Sequence, residues 1–252
     1  MPLYDLTRLQ FPGDDSIYHH FHASWLISLA DTLNRTFPEA SGFEAIFEKK
    51  VSPLEADVVT IDSLEEGVRK QLIVPPLPAS PISFINPTFP DVAKDLTIRT
   101  PSGKIVSVIE LTSPGNKDAQ KKAVAYAINA VSYLQRGINY LVIDVLPSTN
   151  FVDTFHNLIA DLLEGNRLTP PEGKPFYIIS YGVRIVSGDV RIDGYPYWLK
   201  LGETLPRISL FLIDDLHIEV DLESTFMEAV ERLPPRHRRK LCRGSPSNAF
   251  ST

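Results

Sequence analysis

Between Ser16 and Phe37, Ile17, Phe21, Trp25, Leu29 and Leu33 recur at helical spacing, and Leu26 and Ala30 widen the stripe. One face of this segment is therefore apolar, and the spacing predicts an amphipathic opening helix. Ser16 can cap its start, while Pro38 and Gly42 mark its end. The period then changes from helical to alternating. Phe43, Ala45, Phe47 and Lys49 fall on one side of the next run, and Glu44, Ile46, Glu48 and Lys50 on the other, which predicts a strand over Phe43–Val51. A second strand is expected over Ala56–Ile61, where Val58, Val59 and Ile61 surround Asp57. From Leu72 to Pro90 the chain is dense in proline (Pro75, Pro76, Pro78, Pro81, Pro87, Pro90), which removes ladder donors and predicts an irregular surface excursion.

Two strand-like runs, Leu96–Thr100 and Lys104–Thr112, flank Pro101-Ser102-Gly103, and this turn signal predicts a hairpin. Ser113-Pro114-Gly115-Asn116 breaks the second arm. Asp118–Arg136 then presents Ala119, Ala123, Tyr126, Ala127, Ala130, Val131 and Leu134 with helical period, and Gly137 stops it. Tyr140–Val145 is almost continuously apolar, as in a strand covered on both faces. Strand, crossover helix and strand thus follow one another. Further on, Phe151–Leu163 reads as a helix, Phe176–Val186 and Val190–Leu201 as paired strands, Arg207–Ile213 as a strand and Leu222–Leu233 as a closing amphipathic helix. The acidic stretch Asp214, Asp215, Glu219, Asp221 and Glu223 reads as a solvated loop leading into a helix N-terminus, where negative charge is favoured.

The fold class expected is α/β, a mixed central sheet with flanking helices and a β-rich C-terminal elaboration. With 252 residues, one domain over 1–233 is the simplest division, its core about 16–146 and the elaboration about 170–233. The basic tail 234–252, with Arg236, His237, Arg238, Arg239, Lys240 and Arg243, reads as disordered. No apolar run approaches the roughly 18 to 20 residues that span a bilayer, and the N-terminus lacks the pattern of a secretory signal, so a cytoplasmic protein with no membrane role is expected. Cys242 alone can build neither a disulfide framework nor a thiolate metal site within one chain. The net charge of −6 opposes broad contact with a polyanion, so any nucleic-acid partner must be met through a local patch.

Two acids stand out inside apolar runs, Asp57 and Glu110. A carboxylate buried without a partner is costly, so Glu110 requires a metal, a cation or a hydrogen bond. A carboxylate pair at adjacent strand ends can hold Mg²⁺ or Mn²⁺, which activates water, and a lysine nearby can neutralise the developing oxyanion. Lys117 lies at the helix start and close to Glu110 along the chain, with Lys121 and Lys122 further on. A structural salt bridge between Lys117 and Glu110 explains the same pattern.

The run Val108-Ile109-Glu110-Leu111-Thr112-Ser113-Pro114-Gly115-Asn116-Lys117, then Tyr126, then Leu141-Val142-Ile143-Asp144, resembles the bacterial domain of unknown function four-zero-five-eight. Weaker similarity reaches from about Asp5 to Leu233, through His19–Leu33, Ala56-Asp57-Val58, Lys174–Tyr177 and Leu205–Phe226. That family in turn resembles the PD-(D/E)XK, restriction-endonuclease-like group of nucleases. The resemblance implies that Asp57 and Glu110 are metal ligands and catalytic acids. Thr112 stands where the nominal motif has lysine, and Asn129 where relatives place a lysine on the following helix. Lys117 is then the expected auxiliary cation.

Three functions follow as expectations: a divalent-metal-dependent phosphodiesterase acting on nucleic acid, a catalytically degenerate binding or scaffold protein of the same fold, and a small-molecule binder using Tyr177, Tyr181, Tyr195, Tyr197 and Trp198. The last set more often forms cross-strand pairs. His19, His20 and His22 do not supply a full ligand set at helical spacing and are not read as a metal cluster.

Overall fold

The structure, a computed structural model, describes residues 3–10, 16–47, 82–85, 96–150, 152, 154–186, 189–213 and 216–242, with backbone only at 82–85, 185 and 189. The strand expected over Ala56–Ile61 lies outside the described residues.

The opening periodicity becomes α1 (Ser16–Thr36), followed by β1 (Glu44–Phe47). After β2 (Ile82–Ile85) comes the hairpin of β3 (Leu96–Arg99) and β4 (Ile105–Leu111). The one-turn helix α2 (Pro114–Lys117) and the longer α3 (Gln120–Gln135) lead to β5 (Asn139–Asp144). Gly137, with φ of 75°, ends α3 in the left-handed region that other side chains resist. Then follow α4 (Phe155–Leu162), β6 (Phe176–Val186), β7 (Asp189–Leu199), β8 (Arg207–Phe211), β9 (His217–Asp221), α5 (Leu222–Glu231) and α6 (Pro235–Cys242).

Seven strands form one sheet in the order β1-β3-β4-β5-β6-β7-β2, and β8 and β9 form a second. The β4–β5 pair is parallel, joined through α2 and α3 as a parallel connection requires, and the other pairs are antiparallel. This is the mixed α/β sheet with flanking helices expected from the sequence. The β-rich part is not a separate layer throughout, because β6 and β7 extend the core sheet and only β8 and β9 stand apart.

All six positions of β5 are buried, because alternate residues feed two cores. Leu141 and Ile143 join a cluster with α1, α5 and the small sheet, while Tyr140 and Val142 join one with α3 and α4. In the first, Trp25 meets Phe226 edge-on with ring centroids 5.0 Å apart, and Phe21 packs on both rings. Gly182 lets the small sheet approach, since a Cβ there would lie 3.0 Å from the Phe211 ring. Asn139 ties the layers together. Its amide donates to the carbonyls of Val106 and Leu212, and its oxygen accepts from Val183 N–H.

Three expectations are corrected. Within the proline-rich stretch, Ile82–Ile85 is a strand paired with β7, tolerated beside Pro81 and Pro87 because it sits on the sheet edge. Within the acidic stretch, His217–Asp221 is a strand rather than a loop: Ile218 and Val220 turn inward while Glu219 is exposed. The tail is helical over Pro235–Cys242, with His237 and Leu241 buried. Cys242 is thus partly buried at a helix end rather than in a polar tail.

Candidate functional site

Glu110 and Asp144 end neighbouring parallel strands. Glu110 is in register with Val142, so Asp144, two residues on, projects from the same face of the sheet. That face is covered by α3 and α4.

The break after β4 aims Lys117. Ser113 N–H and Oγ both donate to Asn116 Oδ1, at 2.7 and 2.6 Å, closing a tight turn that starts α2. Lys117 consequently points at the end of β5, with Nζ 2.7 Å from Asp144 Oδ1. Nζ also donates to the carbonyls of Leu146 (3.0 Å) and Pro147 (3.2 Å), so its three N–H donors are all engaged. The ammonium lies 5.7 Å from the centroid of the Phe155 ring. The two side chains are 3% and 0% exposed. A salt bridge from Lys117 to Glu110, one of the sequence expectations, is therefore replaced by one to Asp144.

Burial pushes the Asp144 carboxyl up from its ordinary value, opposed by Lys117, by Tyr177 and by the Leu146 amide. Its Oδ2 has no hydrogen bond among the described residues. Tyr177, the register partner of Asp144 on β6, accepts from Phe155 N–H at 2.6 Å. Its phenol is raised well above its usual range by burial first, then by Asp144, Tyr126 and Tyr181. Tyr18 from α1 donates to the Thr112 carbonyl at 2.9 Å, and burial, aided by Asp144, raises its pKa too. Thr112 Oγ1 and Tyr126 Oη share a hydrogen bond of 3.3 Å. The position where the motif would carry lysine is thus buried within this polar network.

Glu110 differs: it is only half-buried, and the Tyr140 hydroxyl donates to it. Asp57 lies outside the described residues. Lys121 is exposed, and Lys122 pairs with Asp118 at 2.6 Å on the surface of α3. Among the described residues, no group of three or more His, Cys, Asp or Glu side chains is placed to hold a metal ion. Of the α1 histidines, His22 donates from Nε2 to the Leu111 carbonyl at 2.7 Å, and burial lowers its pKa, offset in part by that carbonyl and reinforced by His19. His20 reaches the Arg232 carbonyl at 3.3 Å.

Of the aromatic set, Tyr197 and Trp198 are half-buried, packed on opposite faces of the sheet. Tyr177, Tyr181 and Tyr195 are buried, Tyr177 against Trp198 and Tyr195 against Phe211. Asp144 is the site residue that motif reasoning passed over. Its signal was present, since it is an acid closing an apolar strand and needs a partner by the same argument that singled out Glu110.

Comparison with models of protein families, with curated proteins and with solved structures finds no match for this chain. The resemblance drawn from the sequence therefore rests on the quoted residues. Among the described residues, no helix is long and apolar enough to cross a membrane.

Proposed function

We propose that this chain is a binding or scaffold protein without hydrolytic activity, built on the nuclease-like architecture that the Glu110–Lys117 motif implies. The supporting observation is the position of Lys117. A lysine that is to steady a developing oxyanion must reach the reacting group, whereas this one is sealed against Asp144 and two backbone carbonyls. Thr112 supplies no replacement cation, and it too is buried.

The alternative, a divalent-metal-dependent phosphodiesterase with Asp57 and Glu110 as ligands, draws support from one observation: solvent reaches Glu110, unlike Asp144. One experiment separates the two. Mg²⁺ and Mn²⁺ are titrated into the wild type, Asp57→Ala and Glu110→Ala, following metal binding by calorimetry and nicking of supercoiled DNA. The expected result is no metal-dependent nicking by any of the three. Nicking by the wild type that disappears in both variants would overturn the proposal.

A further inference from the structure

The chain carries a net charge of −6, yet its last helix is cationic. From Leu233 to Cys242 there is no acidic residue, and Arg236, Arg238, Arg239 and Lys240 lie within that span. Pro235 fits the first turn, where its missing N–H has no helical partner to lose. The helix is held by its other side: Leu241 is 2% exposed within the main core, and His237 is buried one turn before it. Arg238 is half-buried and donates to the Glu231 carbonyl. Arg236, Arg239 and Lys240 are exposed. At separations of three and four they share one helical face, their Cβ atoms about 5–6 Å apart.

We infer that this face of α6 docks on the phosphodiester backbone of nucleic acid, a partner the scaffold reading above does not name. The partner is anionic, because among the described residues the exposed face of α6 itself carries Arg236, Arg239 and Lys240 and no acid. Two of the three are arginines, whose planar forks suit phosphate oxygens. A membrane surface fits less well. A helix lying on a bilayer must bury its own apolar face there, and the apolar residue of α6 is already inside the protein. The contacts are to backbone rather than bases, so binding is independent of sequence and strongly salt-dependent.

The test uses the full chain and a labelled DNA duplex of about 20 base pairs, with anisotropy read across a salt series. Three phosphate contacts give a slope of log affinity against log salt of about −2.7, hence a loss of roughly 40-fold between about 50 and 200 mM salt. The variant R236Q/R239Q/K240Q keeps His237 and Leu241, and should flatten that slope to near zero. Should it melt early, R239Q alone is used, with an expected reduction of about 0.9 in slope. No binding by the wild type at the lowest salt overturns the inference, as does an unchanged slope in the variant. Equal or tighter binding to phosphatidylserine vesicles, or equal displacement by poly-glutamate, overturns it in favour of a lipid surface or an acidic protein. Metal-dependent cleavage would refute the scaffold proposal while leaving this inference standing.

Discussion

Glu110 and Asp144 are two carboxylates on one face of one sheet, at the ends of adjacent parallel strands, and their surroundings make them different groups. Glu110 keeps access to water and takes a hydroxyl from Tyr140. Asp144 is cut off from water and held by a lysine that is cut off with it. The residue with the textual signature of chemistry is therefore not the one that the fold has invested in. Burial favours structural use, because a charge in low dielectric persists only where a partner is fixed.

Breaking the sealed pair should have the largest effect. Lys117→Met strands Asp144, and urea denaturation should show a loss of about 3–5 kcal/mol. The double variant Lys117→Met/Asp144→Leu should be less destabilised than the sum of its single changes, since neither charge is then left alone. Additive losses would show that the pair is not coupled.

Acid sharpens the same contrast. Because burial raises the folded-state pKa of Asp144, the group's contribution to stability is fully present below its unfolded value, near pH 4, and is lost as pH rises through the raised folded value. Removing Lys117 takes away the main force pulling that value down. The stability deficit of Lys117→Met should therefore be larger near pH 7 than near pH 4, as the carboxyl becomes neutral. A deficit that stays constant across this range would contradict the assignment.

At the half-exposed acid the effects should shrink. Tyr140→Phe removes one hydrogen bond from Glu110, which can turn to water, so a loss of about 0.5–1.5 kcal/mol is expected. The smallest change belongs to a surface pair: Arg207, 65% exposed, bridges Glu219 at 3.0 Å and Asp221 at 3.4 Å. Arg207→Ala should cost no more than about 1 kcal/mol in the same assay.

Elements with strong periodicity were legible in the sequence. The stripe of α1, the Pro101-Ser102-Gly103 hairpin, the apolar run of β5 and the paired strands β6 and β7 appear where their patterns place them. The missed elements depend on partners far along the chain. The helix α6 has one apolar anchor in Leu241 and is stabilised by packing rather than by an amphipathic stripe. Acids beside Ile218 and Val220 obscured the alternation of β9, and β2 is a strand only because β7 offers it an edge. The site shows the same division. That Glu110 needs a partner was evident, but Tyr140 becomes its neighbour only through the parallel β4–β5 pairing. Lys117 was recognised as a functional candidate, and its direction was set by the Ser113–Asn116 turn, which local spacing does not reveal.

Asn139 shows how little shape has to change for a joint to fail. Its amide nitrogen serves two carbonyls from different layers while its oxygen serves a third segment. An aspartate there would match the outline almost atom for atom, yet it would aim oxygen lone pairs at Val106 and Leu212, turning attraction into repulsion. At this seam, polarity rather than volume sets which replacements the protein can survive.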